Sequence, residues 1–386
     1  MGFARRRPQR FPERPVSDRQ AQIAAFVDKA GWAGAELHPL AGDASTRRYV
    51  RLARRGGTAM LMDQPRGAET AACPPDASAD ERRKLGYNAM ARLAGPDCRP
   101  FAAVAEHLRR LGLSAPEIIA HDYANGFLLI EDLGDGRFAD LIVDGEAERP
   151  LYETAIDTLL RLHQEAAPKR LAVPGAAGDV HLLGYDPVAM EAEVLLLPEW
   201  FYPAAAGKPL DAGARDEYLA AWRPALARLP TDHAVMVLRD YHAENLMWLP
   251  MRGGASRAGL LDFQDALAGS PAYDLISLTE DARRDVSVDL AEAMTRRYIA
   301  ARRAADARFD EEAFRFAAAL LAAQRNTKIV GIFARLWKRD GKPRYTQFLP
   351  RMWGYLARDL NHPALAPLKA WFDRHVPEAW RGTLGN

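Results

Sequence analysis

The chain has 386 residues, 48% of them apolar and 27% charged, with a formal net charge of +1. That length suits two domains sharing a cleft, and the near-neutral balance excludes a nucleic-acid or anionic-membrane partner selected by a global field. No apolar run reaches the roughly eighteen residues a membrane helix needs.

Residues 1–16 carry Arg5, Arg6, Arg7, Arg10 and Arg14 among prolines. They read as a disordered leader, without the apolar core of a secretory signal. Ser17 to Ala30 follows as a helix with Ser17 as cap. His38–Leu40, Tyr49–Leu52 and Ala59–Met62 read as strands. Between the first two lies Gly42-Asp-Ala-Ser45-Thr46-Arg47-Arg48. Its small residues let backbone N–H groups approach phosphate oxygens, and Ser45, Thr46 and Arg48 add donors. A plain polar hairpin is the alternative reading of that loop. Residues 63–98 hold four prolines and both cysteines and read as an insertion with a short helix at 80–93. Cys73 and Cys98 show no metal-ligand spacing, which points to free thiols in a reducing cytoplasm.

Phe101 to Leu111 repeats apolar residues at helical spacing. Ile118–Ala120 and Phe127–Ile130 form a strand pair around an Asn125-Gly126 turn. After Asp132 the chain turns helical, with helices at 152–165, 214–229, 287–304 and 310–338, the last capped by Asp310. The expected fold is α+β, with a β-rich lobe over residues 17–132 and a mainly helical lobe over 133–386. A cleft between the lobes is the expected ligand site.

The chemistry concentrates in Val-Leu-Arg-Asp-Tyr-His-Ala-Glu-Asn-Leu at 237–246 and Leu-Leu-Asp-Phe-Gln-Asp at 260–265. An Asp, then an Asn five residues on, then an Asp at the end of a strand is the order used for phosphoryl transfer. Asp240 is placed to take the proton of an attacking hydroxyl. Asn245 and Asp262 supply the few oxygen ligands that Mg²⁺ prefers beside the phosphates of ATP. His242 is expected to be structural, and Asp265 either supports the site or sits in a turn. Asp274 is expected to brace the catalytic loop from a buried helix start. Gln324-Arg-Asn-Thr-Lys328 interrupts an apolar helix. It reads either as one exposed turn or as a cleft-facing block in which Arg325, Asn326 and Lys328 contact substrate. Trp200, in Glu199-Trp-Phe201, is a candidate sugar platform or a core aromatic.

These words resemble the aminoglycoside phosphotransferase and choline kinase superfamily. The matching segments run from Leu40-Ala-Gly-Asp-Ala-Ser-Thr-Arg-Arg-Tyr49 and Gly126-Phe-Leu-Leu-Ile-Glu-Asp-Leu-Gly134 through the two catalytic words to Gln324-Arg-Asn326 and Gly331-Ile-Phe-Ala-Arg-Leu336. The flanking words are similar to a bacterial cell-wall recycling subgroup that phosphorylates N-acetylmuramate and N-acetylglucosamine at the anomeric hydroxyl. The resemblance implies a bilobal protein-kinase-like fold, ATP and Mg²⁺ as cofactors and a small-molecule sugar substrate. It also implies adenine contacts at the hinge near Glu131 and Leu133. A kinase for choline, homoserine or an aminoglycoside, and a nucleotide-binding protein without catalysis, are the competing readings. Two departures stand out. Leu238 replaces the family's histidine before the catalytic pair. The strand lysine that grips the α and β phosphates is absent from Ala59-Met-Leu-Met62, so Arg47, Arg48 or Arg51 is expected to supply its charge. Glu106 is the candidate acid on the crossing helix.

Overall fold

The computed structural model describes residues 16–40, 46–65, 70, 72–229, 234–382 and 384. The arginine-rich leader up to residue 15, together with Gly42 and Ser45, lies outside them. The N-lobe runs α1 (Val16–Lys29), β1 (Glu36–Pro39), β2 (Arg48–Arg54), β3 (Gly57–Asp63), α2 (Ala79–Leu85), α3 (Tyr87–Met90), α4 (Arg99–Arg110), β4 (Ile118–Asp122) and β5 (Phe127–Glu131). Its strands form one antiparallel sheet in the order β1-β2-β3-β5-β4.

The two-residue period of a strand explains how this sheet is covered. Ala59, Leu61, Phe127 and Leu129 point to one face and close a small core with Phe26, Val27 and Trp32 from α1 and the turn after it. Met62, Leu128 and Ile130 point the other way and join α4 in the main core. The β4–β5 turn is tight: Gly126 has φ +74, and a Cβ there would meet Gln64 O at 2.2 Å. Only glycine fits. The helix expected at 80–93 is in fact two, because Gly86 takes φ +100 and breaks it.

The C-lobe contains α5 (Phe138–Val143), α6 (Glu148–Leu162), β6 (Arg170–Ala172), β7 (Asp179–His181), α7 (Pro187–Val194), a π-helical turn (Leu197–Phe201), α8 (Tyr202–Ala206) and α9 (Ala212–Leu226). It continues with β8 (Val235–Val237), β9 (Leu246–Trp248), β10 (Ala258–Leu260), β11 (Leu267–Gly269), α10 (Ala272–Thr279), α11 (Val288–Ala305), α12 (Glu311–Lys338), α13 (Leu349–Asp359) and α14 (Ala366–His375). The fold is therefore α+β and bilobal, with the protein-kinase-like arrangement expected from the sequence.

Helix α12, 28 residues long, is the spine of this lobe. Asp310 caps it by accepting Ala313 N at 2.9 Å. Gly331 lets it approach the chain before the π turn, since a Cβ there would lie 2.4 Å from Leu196 C. Gln324 through Lys328 are all buried. The exposed-turn reading of that block is thus corrected: its side chains find polar partners inside the lobe, which removes the cost of burial. Cys73 and Cys98 are buried and form no disulfide. Among the described residues no helix is long and apolar enough to cross a membrane.

Candidate active site

Two antiparallel pairs, β8 with β11 and β9 with β10, frame the site. Between β8 and β9 the chain makes a three-residue turn in which Asp240 N donates to Leu238 O at 2.9 Å. Arg239, at its centre, has φ +73. A γ-turn of this hand is uncommon and strained, at a cost of about 1–3 kcal/mol.

Every backbone polar group of that turn is secured. Asp274, fully buried at the start of α10, accepts Leu238 N at 2.7 Å and Arg239 N at 2.9 Å. Ser277 Oγ donates to Arg239 O at 3.2 Å. Asn245 Nδ2 donates to Asp240 O at 2.9 Å. The brace expected of Asp274 is present. Burial pushes its carboxyl up to about 7, although the two N–H donors pull the other way.

The Arg239 side chain runs inward. It forms an ion pair with Glu193 of α7, which is fully buried, and reaches Ala91 O at 3.2 Å. Glu193 also accepts from the Tyr185 hydroxyl and from Gln324 Nε2 (2.8 Å), and lies 3.6 Å from Lys328 Nζ. Lys328 Nζ donates to Tyr273 Oη at 2.7 Å. Burial raises the Glu193 carboxyl, but Lys328 and Arg239 outweigh it and hold the group below the usual range. One buried carboxylate thus fixes both cations, as buried charge requires.

Asp240 is half-buried. Burial works to raise its carboxyl. The positive charge of Lys328, with smaller help from Arg239 and Arg325, more than offsets this and holds it below the ordinary value. It is ionised at neutral pH, the state a base needs. His242 is buried, and burial lowers its imidazole. Its Nε2 faces Arg283 Nη1 at 3.3 Å and Asn245 Nδ2 at 3.4 Å. Two donors on Nε2 make it the acceptor, so the ring is a neutral brace.

Asp262 follows β10 with φ +56. Its Oδ1 receives Arg47 Nη2 at 3.0 Å and Gln264 Nε2 at 3.0 Å, and its side chain is 41% exposed. Leu261 N donates to Asn245 O at 3.0 Å, stitching the two segments together. The donor set fits Mg²⁺. Asn245 commits its nitrogen to the backbone, which aims its side-chain oxygen elsewhere, and Asp262 offers a partly open carboxylate. An amide and a carboxylate are oxygen ligands of the kind this ion takes, with the remainder from phosphate and water. Among the described residues no group of three His, Cys, Asp or Glu gathers as a metal cluster.

The remaining residues sort by their partners. Arg51 pairs with Asp132 at 2.7 Å and Asp135 at 2.7 Å, clasping β2 to the hinge. Arg48 is exposed and Thr46 half-buried. Glu131 is held by Arg252 and by Arg109 at 3.4 Å, and its N–H donates to Glu117 O. Leu133 packs over Gly259, 2.9 Å from where a Cβ would stand. β3 carries Ala59, Met60, Leu61 and Met62, and Glu106 faces Arg110 at 4.0 Å. Arg325 donates to Glu280 O (3.1 Å) and Ser277 Oγ (3.0 Å). Asn326 Nδ2 donates to Glu280 Oε2 (2.6 Å) and Asp359 Oδ2 (2.8 Å). Trp200 is half-buried on the π turn. Asp265 accepts Ala94 N at 2.6 Å, so it anchors the end of the 63–98 segment.

Glu193 and Gln264 escape the sequence reading. Gln264 is next to a motif residue and could have been weighed. Glu193 had one signal, an acid in the otherwise apolar stretch Ala192 to Leu197.

Residues 36–316 match the phosphotransferase enzyme family. Over 361 residues the chain is 48% identical to the N-acetylmuramate/N-acetylglucosamine kinase of Caulobacter vibrioides, covering 94% of this chain and 98% of that one. It is 34% identical over 341 residues to the protein of the same name from Pseudomonas aeruginosa, covering 86% and 87%. The fold is similar to the choline kinase LicA of Streptococcus pneumoniae, with a TM-score of 0.52 and 13% identity over 90% of this chain and 99% of that one.

Proposed function

The chain belongs to the phosphotransferase enzyme family, and from that premise we propose that it transfers the γ-phosphate of ATP to the anomeric hydroxyl of N-acetylmuramate or N-acetylglucosamine. The observation that carries this reading is the braced turn: Asp240 ionised, tied through its own carbonyl to Asn245, with Asn245 tied through the backbone to Leu261, the residue before Asp262. The two named kinases at 48% and 34% identity support the acceptor.

In this reading Asp240 orients the C1 hydroxyl and takes its proton as the sugar oxygen bonds to the γ-phosphorus and the bond from that phosphorus to the β-phosphate oxygen breaks, releasing ADP. Asn245 and Asp262 are the residues that would hold Mg²⁺, and the ion would supply charge neutralisation for the phosphates. Arg47 takes the place of the missing strand lysine. Arg51 is committed to the hinge and Arg48 points to solvent, whereas Arg47 already reaches the metal carboxylate and is 10% exposed. Thr46, at the edge of the described residues before β2, would approach the phosphates; Gly42 and Ser45, expected from the sequence to do the same, lie outside the described residues, and Arg48, exposed at the start of β2, is left to solvent. The backbone from Glu131 to Leu133 meets adenine. Lys328, beside Asp240, contacts the transferred group or the sugar. Arg325 and Asn326 brace α10 beneath that site, and Trp200 flanks it. An enzyme that consumes ATP in this way works in the cytoplasm on a small-molecule sugar.

The test is ADP release coupled to each sugar, with the product position read by phosphorus NMR. Phosphate on C1 is the expected result. ADP release that neither sugar stimulates would overturn the proposal.

A further inference from the structure

Most buried or half-buried arginines described above have a carboxylate partner, and Arg325, which has none, is held by Glu280 O and Ser277 Oγ. Among the described residues Arg335 has no ion-pair partner either. It lies on α12 seven residues beyond Lys328, two turns along the same face and about 10 Å away. Its guanidinium sits 4.8 Å from the centre of the Tyr87 ring. Its Nε is buried, with no hydrogen-bond partner among the described residues. Asp340, whose charge Arg335 feels, is engaged by Arg339 at 2.7 Å. Burial lowers the Arg335 guanidinium from its usual value, as befits a cation without a matching anion. The side chain is only half-buried, so a ligand can reach it.

Tyr87 links this arginine to the catalytic turn. Its hydroxyl lies in the field of Glu193, Arg335, Arg239 and Tyr273, and Arg239 is the residue before Asp240. Along this face of α12, Glu193 is shared by Arg239 and Lys328, while Arg335 forms no ion pair among the described residues and feels only the charge of Asp340, which Arg339 holds. A guanidinium in that state is a seat for a carboxylate, which it can bind through two parallel N–H donors.

We propose that Arg335 binds a carboxylate on the acceptor and so sets the preference between anionic and neutral amino sugars. The inference rests on the acceptor reading above, since N-acetylmuramate differs from N-acetylglucosamine by a lactyl ether that carries a carboxylate. Lys328 would then stand at the reacting end of the sugar and Arg335 at the ether arm.

The test measures kcat/KM for both sugars in the wild type, Arg335→Met and Arg335→Lys. The ratio of N-acetylmuramate to N-acetylglucosamine should fall by about 10- to 100-fold in Arg335→Met, the size of one charge-assisted contact. Most of the fall should appear in KM for N-acetylmuramate, and Arg335→Lys should recover part of it. Turnover of N-acetylglucosamine by the variants reports that they fold. A ratio within about twofold of wild type in Arg335→Met, or an equal loss on both sugars, would overturn the inference while leaving the kinase reading intact. A wild type that phosphorylates neither sugar would instead overturn the kinase reading, and this inference with it.

Discussion

The base role proposed for Asp240 needs an ionised carboxylate, and the surrounding cations, Lys328 first among them, favour that state. Asp240→Asn should lower kcat by at least about 100-fold, within the range that general bases contribute. ATP affinity measured by calorimetry should stay within a few-fold, because Asp240 is not assigned to the metal. The pH profile follows from the same charges. The ionised form is active and the carboxyl is held below its ordinary value, so kcat/KM should stay level as pH falls from 8 through 5.5. Lys328→Met removes the main cause of that depression, so the acid limb should move to higher pH. An acid limb that does not move would remove Lys328 from the site. At this scale Asp240, Asn245 and Asp262 were legible, since phosphoryl transfer asks for a fixed order of few residue types. Glu193 was not legible, because a lone acid on an apolar helix carries no motif. Its role comes from Arg239 and Lys328, which are distant from it in sequence.

Among the elements, the catalytic turn and α12 decide whether those residues meet. The turn stores backbone strain at Arg239, and Asp274 offsets it by accepting two N–H groups. Asp274→Ala leaves both donors buried and unpaired, at about 1–3 kcal/mol each. A lower urea midpoint and a lower kcat should appear together. Helix α12 depends on close approach at Gly331, where any side chain meets the backbone of Leu196. Gly331→Val should destabilise the protein by about 1–3 kcal/mol through overpacking, again read from urea unfolding. A midpoint unchanged by Gly331→Val would contradict the packing described. The strands and long helices were legible from apolar period and from caps such as Asp310. The split at Gly86, the β6–β7 hairpin and the π turn were not, because each is set by local backbone or by tertiary packing. The exposed-turn alternative for the polar block at 324–328 fails for a related reason: polarity in a helix signals exposure only when no buried partner waits, and here Glu193, Ser277, Glu280 and Asp359 do.

At the scale of the whole molecule, stability should depend on pH through a residue to which the chemistry assigns no role. Burial, with help from the Arg302 charge, pushes His163 down to about 3, and its Nδ1 pairs with Tyr298 Oη at 2.8 Å. The unfolded chain takes up a proton near pH 6.5 that the folded protein refuses. This contribution to stability is whole above that pH and is lost as pH falls toward 3, at about 1.4 kcal/mol per unit. His163→Gln should flatten that part of the slope between pH 7 and 5 in urea titrations. An unchanged slope would mean that the imidazole is not held neutral. The bilobal plan was legible from the shift of strands to helices near Asp132. The clasp of Arg51 on Asp132 and Asp135 was not, since it joins residues about eighty apart by charge alone.

The central claim is that one amide and one carboxylate, flanking a separate base, hold a magnesium nucleotide. The direct measurement is calorimetric titration of ATP with and without Mg²⁺ into the wild type, Asn245→Ala, Asp262→Asn and Asp240→Asn. The gain in affinity from Mg²⁺ should vanish in the first two variants and persist in the third. A gain that survives both Asn245→Ala and Asp262→Asn would contradict the account.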